Sequence, residues 1–370
     1  ITEISLHPDG LKLDYKDWTV AENNKIQIGP DGIFADNFRI SNEGNEILIQ
    51  SESNSPNSPL NIDFTDFEIA NITEIIRKDS LLAEGRINGN VQLRNITENL
   101  SFTSDLNISE LGVFGNPVGD LAVKVDNAAG NLLNADVALS GNDNDVKILG
   151  DYNMESGSFD LDMDINRLQM QSVQGLSMNQ ITDTEGYLSG NLNVNGTTEA
   201  PRILGAVRFN DVGLQIAQTG SDFRNINDEI DFTRRGIEFD HFKINDSDGN
   251  SLNINGQVLT QTYRDFGFNL DLTADDFKVV NSEKNNEAIM YGVLSIDADL
   301  RIRGNLDLPI VDGSLAVSDD TDFTFVLPQE SPSLQEREGI VEFIDKDQPV
   351  LNQTLVDQTL NSQTHFTGMD

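Results

Sequence analysis

The sequence lacks several features on which common classes of protein depend. It contains no cysteine, which excludes disulfides, thiolate metal sites and cysteine nucleophiles and is compatible with an oxidising compartment or the outer envelope. There are 24 lysines and arginines against 62 aspartates and glutamates. The resulting net charge of −38 repels phosphate backbones and excludes nucleic-acid binding as the main function. No apolar run approaches the roughly 20 residues of a membrane-spanning helix. The sequence begins at Ile1 with neither an initiator methionine nor a signal-like segment, so we expect a part of a longer protein.

The apolar residues that are present alternate with polar ones over short stretches. Phe159, Leu161, Met163 and Ile165 are separated by three aspartates. The same two-residue period recurs at residues 121–125, 133–139, 266–272 and 294–303. Successive side chains of a strand point to opposite faces, so each stretch has one apolar face and one face rich in Asp and Asn. Strict alternation is typical of an antiparallel sheet with one wetted side, and we predict an all-β fold.

Helical spacing is scarce. Apolar residues recur at intervals of three to four at residues 167–184 and again at 279–290, which predicts one or two short helices. By composition we divide the chain into a β-rich start (1–80), a repetitive β segment (81–328) and an irregular or partly disordered tail (329–370).

Three segments repeat one arrangement of strand, turn and strand. Residues 89–98 match residues 190–199 without a gap, and residues 309–317 follow the glycine and proline frame of residues 201–209. The full copies lie near 89–114, 190–215 and 298–323. Because a slip of one residue would turn every side chain over, copies in phase keep one continuous apolar face. Convergence of simple β sequence is the alternative.

At these residues the sequence resembles the TamB/AsmA-like family of envelope proteins, in its Bacteroidetes form. Residues 188–205 look like the family's recurring unit, residues 305–317 form a looser copy, and residues 321–343 are similar to the Bacteroidetes branch. The resemblance covers about residues 80–345 and implies a long, taco-shaped β-sheet around an open apolar groove. It also implies a periplasmic bridge between two membranes that serves phospholipid transport or outer-membrane protein assembly. The chain departs from the family in lacking an N-terminal membrane anchor and, we expect, the terminal domain.

A sheet of this length is expected to curl, because open twisted sheets with many strands rarely stay flat. Curling with the apolar face inward would leave the acidic face in water and would explain the high net charge. Two sheets packed into a filled sandwich, or a barrel, would use the same alternation. A transmembrane barrel would need aromatic girdles, which five tyrosines and one tryptophan do not supply.

Motifs for chemistry are weak. Residues 246–250 resemble a calcium loop, but Gly249 falls at the fourth position and Gln257 at the twelfth, so a turn is expected. His7, His241 and His365 are far apart and form no metal-binding frame. Acidic pairs such as 275–276 and 319–320 arise by chance among 62 acids. We therefore expect no enzyme, no metal site and no cofactor.

The candidate site is the apolar face itself, which we expect to hold phospholipid acyl chains. The lining residues predicted from the repeats are Leu161, Met163, Leu192, Val194, Val207, Phe209, Leu270, Leu272, Leu300, Ile302, Leu315 and Val317. From the resemblance we expect the full-length protein to lie in the periplasm, anchored in the inner membrane, with an outer-membrane barrel as partner. The alternative is a structural or surface β module, or a scaffold whose strand edges guide assembly of outer-membrane proteins.

Overall fold

The computed structural model describes residues 1–8, 10–13, 16–71, 82–97, 100–129, 131–284 and 289–326, all within one unit, Ile1–Val326. A short helix, α1 (Met170–Leu176), lies between two long strands. The strands are β1 (Thr2–Ile4), β2 (Leu11–Leu13), β3 (Lys16–Val20), β4 (Lys25–Gly29), β5 (Gly32–Asp36), β6 (Phe38–Asn42), β7 (Asn45–Ser51), β8 (Leu60–Glu68), β9 (Ala83–Arg94), β10 (Ser101–Val113), β11 (Asn116–Ala129), β12 (Leu132–Gly141), β13 (Asn144–Asn153), β14 (Ser158–Gln169), β15 (Ile181–Thr197), β16 (Pro201–Ile216), β17 (Asp222–Ile226), β18 (Glu229–Thr233), β19 (Gly236–Asp246), β20 (Ser251–Leu259), β21 (Gly267–Ser282), β22 (Met290–Asn305), β23 (Pro309–Val317) and β24 (Asp322–Phe325).

The strands form one long, curled antiparallel sheet and one small sheet. β1, β4 and β5 make the small sheet, and the other 21 strands make the long one. Within the long sheet most strands pair with their neighbours in sequence, because short turns join them into hairpins. Two short strands, β17 and β18, lie end to end between β16 and β19, and each of them pairs with both of these longer strands. In the part of the chain that the structure describes, β2 and β3 do not pair with β22, β23 or β24. The predicted all-β antiparallel fold is confirmed.

Glycines inside strands bend the sheet. Gly205 in β16 has φ of 128°, and a Cβ added there would overlap the carbonyl oxygen of Asn191 on β15. It pairs with Leu192 on one side and with Phe232 on the other, so a residue without a side chain stands between two large apolar ones. Glycine kinks of this kind introduce curvature into a sheet.

A second bending device is a β-bulge with one non-glycine residue at positive φ. At Asp66, Glu110, Asp211 and Asp276 this residue has φ between 43° and 53°. In each case the backbone N–H donates a hydrogen bond of 2.7–2.9 Å to an Asn or Asp side chain on a neighbouring strand or in the turn beside it. Bulges increase local twist, and their repetition bends the strands in the same way along the sheet.

Two of the three predicted repeats have the same register in space. Gly89 faces Leu106 across the β9–β10 hairpin, and Gly190 faces Val207 across β15–β16. The third copy agrees with the second at its turn, where residues 304 and 309 pair as residues 196 and 201 do. The repeated sequence therefore encodes one hairpin geometry, in which glycine and apolar positions stay on the same face.

The helix prediction at residues 167–184 is right in part. α1 occupies residues 170–176, while the predicted range begins in β14 and ends in β15. The second predicted helix, at residues 279–290, is wrong for its described part, because residues 279–282 belong to β21 and Met290 begins β22. Its remaining residues include 285–288, which lie outside the described residues. A bulge explains the error: the register shifts between Lys278 and Val280, so that Phe277 and Val280 are both buried three positions apart.

The division of the chain at residue 80 does not interrupt the sheet. β8 pairs with β9 from Leu60 to Glu68, so strands on both sides of the predicted boundary belong to one sheet. The predicted tail at residues 329–370 lies outside the described residues, and the domain limits stay a prediction.

Candidate lipid-binding groove

All twelve predicted lining residues lie on one face of the long sheet. Direct cross-strand partners share a face, and the register supplies such partners for the whole set. Leu161 pairs with Val194, and Met163 with Leu192. The remaining pairs place Val207 and Phe209 opposite Gly190 and Leu188, Leu270 and Leu272 opposite Ile302 and Leu300, and Leu315 and Val317 opposite Ala298 and Ile296. A continuous row of pairs runs from Val207 through Ile230, Phe239 and Gly256 to Leu270, which joins the two halves of the set.

The twelve side chains differ in exposure from other residues on the same face. None of them is fully buried: ten are half-buried, and Leu315 and Val317 are 60% and 59% exposed. In a filled sandwich the inner-face residues of both sheets would interdigitate and lose nearly all contact with water. Ile165, Ala298 and Phe242 on this face are buried in that way, whereas the rows of the twelve residues stay partly exposed.

Phe209 differs from the other predicted residues. Its ring lies 5.3 Å from the ring of Phe242, which is only 4% exposed, and Phe239 stacks edge-on against Phe242 at 5.8 Å. Phe242 belongs to the main buried cluster, together with Met170, Val212 and Ile226. Phe209 therefore stands between the groove and the core, and replacing it would disturb both.

α1 holds the cluster in place from one side. Its Met170 is buried in the cluster, and Ser172 is fully buried. Asn144, in the turn that begins β13, donates to the hydroxyl of Ser172 at 2.8 Å and to the carbonyl of Val118 at 2.6 Å. The same Asn144 accepts a hydrogen bond from the N–H of Gln169 at 2.7 Å, which fixes the start of the helix. A single buried amide thus ties β11, β13 and α1 together.

Several residues on the same face were missed by sequence reasoning. Their common feature is that each pairs with a residue of the apolar face on a neighbouring strand. They are Ile203, Phe232, Ile237, Val258 and Phe268 in the second half of the sheet, and Ile47, Ile49, Ile62 and Phe64 in the first. The period of two was visible in each stretch, but only strand pairing assigns the stretches to one face.

The opposite face is built from acids, amides and a few arginines. Asn193 on β15 donates to Asp160 at 2.8 Å and to Asp162 at 2.9 Å on β14. Arg301 on β22 donates to Asp271 on β21 at 2.7 Å, and both side chains are largely exposed. Cross-strand amide–carboxylate and ion pairs of this kind relieve repulsion between neighbouring acids. The two faces of the sheet therefore differ sharply in polarity.

The weak motifs have structural roles. Asp246 is buried, and its carboxylate accepts hydrogen bonds from the N–H groups of Asp248, Asn250 and Lys278 at 2.8–2.9 Å. The side chain of Asp246, the first residue of the expected turn at residues 246–250, therefore stabilises that turn by accepting hydrogen bonds from its backbone. His241 is exposed at a bulge and lies 2.6 Å from the carboxylate of Asp240. Across the described ranges, no three His, Cys, Asp or Glu side chains are grouped closely enough to hold a metal ion. His365 lies outside these ranges.

Comparison with known proteins gives one match. Residues 240–370, from β19 to the last residue of the sequence, match the family model described as the TamB C-terminal domain. These residues are therefore similar to a domain of the TamB family. No curated protein and no solved structure matches the chain. TamB-family proteins are non-enzymatic transport or assembly components of the cell envelope.

The match confirms the family resemblance and corrects one expectation drawn from it. We expected the terminal domain of the family to be missing, but the matched model is that of the C-terminal domain. The error arose because the quoted repeats are loose and the residues after 343 show little periodicity. Among the helices of the described part, none is both long enough and apolar enough to span a membrane.

Proposed function

We propose that this chain is a non-enzymatic segment of a lipid conduit, in which the apolar face of the curled sheet holds phospholipid acyl chains. The observation that carries the proposal is the half-buried state of the lining residues. Side chains such as Leu161, Val194 and Leu270 still contact water in the protein alone, so covering them with hydrocarbon is favourable. Each acyl methylene that leaves water contributes about 0.8 kcal/mol and requires no polar partner.

The composition of the face supports movement of lipid along the sheet. The face consists mainly of aliphatic and phenylalanine side chains, and similar rows recur from β6 to β23. A lining without strong local anchors lets an acyl chain shift from one row to the next at nearly equal free energy. The exposed Asp and Asn on the outer face would keep that face away from anionic headgroups.

For the full-length protein we propose a periplasmic position between the inner and outer membranes. The match of residues 240–370 to the TamB C-terminal domain supports a cell-envelope role, and the proposed partners are phospholipid, an inner-membrane anchor and an outer-membrane barrel. The proposed function of the groove is to transport phospholipid for outer-membrane biogenesis.

The proposal is tested by making the groove polar where the backbone is least disturbed. Leu161 and Val194 form a direct cross-strand pair on the apolar face, so the double variant Leu161→Asp and Val194→Asp places two charges in the groove. The matched control is Ala122→Asp with Ala138→Asp, a direct cross-strand pair on the outer face of β11 and β12. Lipid that co-purifies with each protein is measured by native mass spectrometry, and transport is measured in cells.

We expect the groove variant to fold, to lose co-purified phospholipid and to fail in transport, while the control retains both. If the groove variant unfolds as a core lesion would, or keeps its lipid, the conduit proposal is wrong. The wild-type protein purified without any phospholipid would also contradict it.

One observation favours the second function, a scaffold for assembly of outer-membrane proteins. All nine residues of β23 are exposed, and in the described part of the chain this strand is paired only on the side of β22. This strand has one charged residue, Asp312, and with Ile310, Val311 and Leu315 exposed its edge could accept an added strand. Ile310→Lys with Ala316→Lys, both on the outer face of β23, should abolish binding of unfolded barrel peptides if this function operates, and should leave lipid binding in β14 and β15 intact.

A further inference from the structure

The buried residues of the apolar face collect on one long side of the sheet. Toward the side that carries α1, strands β14, β16, β19 and β21 each hold an apolar residue that is 6% exposed or less. These residues are Ile165, Val212, Phe242 and Phe277. Toward the opposite side the same strands carry half-buried residues, namely Phe159, Ile203, Ile237 and Phe268. Between β14 and β21 the groove is therefore filled on the α1 side and partly exposed on the opposite side.

Strand β21 extends past its neighbour β20 on the α1 side. β20 begins at Ser251 and pairs with β21 only as far as Ala274, whereas β21 continues to Ser282. Beyond Ala274, no strand of the described ranges pairs with β21 on the side of β20. Backbone groups on such an edge need partners from elsewhere in the chain when they are buried.

The connection between β16 and β17 supplies two of these partners. We name residues 217–221 the strap. The N–H of Asn281 donates to the carbonyl of Thr219 at 3.0 Å, and the hydroxyl of Ser221 donates to the carbonyl of Val279 at 2.6 Å. Two strands, β19 and β20, lie between β17 and β21 in the order of the sheet, so the curled sheet closes on itself at this point.

The strap packs tightly against β21. The ring of Phe223, which follows the strap, stacks on the ring of Phe277 at 5.8 Å with 11° between their planes. Ser221 and Val280 are 3% and 5% exposed. Gly220 lies so close to β21 that an added Cβ would overlap the carbonyl oxygen of Asn281. A side chain at position 220 would therefore push the strap away from β21.

We propose that the strap keeps the groove closed on the α1 side between β16 and β21, so that a bound ligand enters and leaves this part of the groove from the opposite side only. A ligand that left on the α1 side would have to break both hydrogen bonds of the strap and separate Phe223 from Phe277. On the opposite side, the half-buried residues meet no such barrier. The closure does not depend on a ligand, whereas the side of exchange rests on the proposed function.

The test moves the strap without changing the groove lining. Gly220→Ala introduces the overlap with Asn281. Gly157→Ala is the matched control, because both glycines have a left-handed backbone, with φ of 65° and 67°, and an added Cβ at Gly157 would meet open space. The sequence contains no cysteine, so Val280→Cys places a single thiol beside the strap and Val194→Cys places one on the half-buried part of the face. The reaction of each thiol with a water-soluble maleimide is measured on the full chain, and circular dichroism and urea midpoints establish that each variant is folded.

In the otherwise unchanged chain, we expect the thiol at position 280 to react at least about a hundredfold more slowly than the thiol at position 194, because its reaction requires local opening. Gly220→Ala should speed the reaction at position 280 at least about tenfold and leave position 194 unchanged, and Gly157→Ala should change neither. If Gly220→Ala does not fold, Ser221→Ala removes only the hydrogen bond to Val279 and should give a smaller increase at position 280. Equal protection of position 280 in the folded strap variant and in the control would overturn the inference, because the buried cluster alone would then close this side.

The side of exchange is measured with N-phenyl-1-naphthylamine, an uncharged apolar probe whose fluorescence reports its release from the full chain. We expect release to be at least about threefold faster from Gly220→Ala than from Gly157→Ala and the wild type, because a second way out is then open. Faster labelling of position 280 with equal release rates would overturn the claim that the strap confines the ligand. A wild type that does not bind the probe would contradict the proposed function, while the labelling of position 280 would still decide whether the strap closes the sheet.

Discussion

The contrast between core and groove predicts unequal costs for two truncations on the same face. Phe242→Ala removes a ring that is 4% exposed and that contacts the rings of Phe209 and Phe239. Loss of a fully buried phenylalanine lowers the free energy of unfolding by about 3–5 kcal/mol, through lost burial and the cavity left behind. We expect Phe242→Ala to fall within this range.

Leu270→Ala removes three carbon atoms from a side chain that is only half-buried. Full burial would give about 0.8 kcal/mol for each carbon, and the partial exposure of Leu270 reduces the predicted loss to about 2 kcal/mol. Leu270 lies on the same face as Phe242, because Phe242 pairs with Ile254 and Ile254 with Leu272. The difference between the two variants should therefore be at least about 1 kcal/mol.

The assay is urea unfolding followed by circular dichroism, with free energies compared only where the slope against urea is unchanged. Loss of lipid during purification is controlled by measuring both variants after delipidation. A loss for Leu270→Ala equal to that for Phe242→Ala would refute the reasoning, because it would mean that the face is packed shut along its length.

Three further predictions concern a glycine inside a strand, the buried amide of Asn144 and the net charge of the chain. Gly205→Ala should lower the free energy of unfolding by at least about 1–3 kcal/mol, because a side chain at φ of 128° is strained and would meet a backbone oxygen. Gly157→Ala should cost less, because a side chain there would meet open space. Equal losses for the two variants in urea unfolding would contradict this prediction. Asn144→Ala should cost about 2–4 kcal/mol because it removes the hydrogen bonds to Val118 and Ser172 and the acceptor of the Gln169 N–H, and a loss below about 1 kcal/mol would show that α1 is held by other contacts. Raising sodium chloride from about 10 mM to about 500 mM should raise the urea midpoint, since salt screens repulsion within a chain of net charge −38; an unchanged midpoint would count against an acidic outer face that repels itself.

Much of the fold was accessible from alternation alone. The aspartates between Phe159 and Ile165 identified β14 and its two faces, because a strand turns successive side chains to opposite sides. The glycine frame of residues 190–205 also carried information on register, since each glycine stands opposite a large apolar residue. The fold class and the shared face could therefore be predicted without coordinates.

Bulges account for most of what could not be predicted. A bulge adds one residue, so that Phe277 and Val280 face the same side at a spacing that imitates a helix. The same device brings Phe239 and Phe242 onto one face and gives rise to the buried aromatic cluster. Phe209 was assigned to the groove because it is in phase with the repeats, and its contact with Phe242 could not be predicted from that phase.

The most direct test of the open groove is photocrosslinking from inside it. Val194→p-benzoylphenylalanine places a photoreactive group on the apolar face, and Asn193→p-benzoylphenylalanine places the same group on the outer face of the same strand. The account predicts that, on illumination in cells, residue 194 becomes crosslinked to phospholipid and residue 193 does not. Crosslinks from residue 194 only to the protein's own strands, or equal lipid crosslinking from both positions, would contradict it.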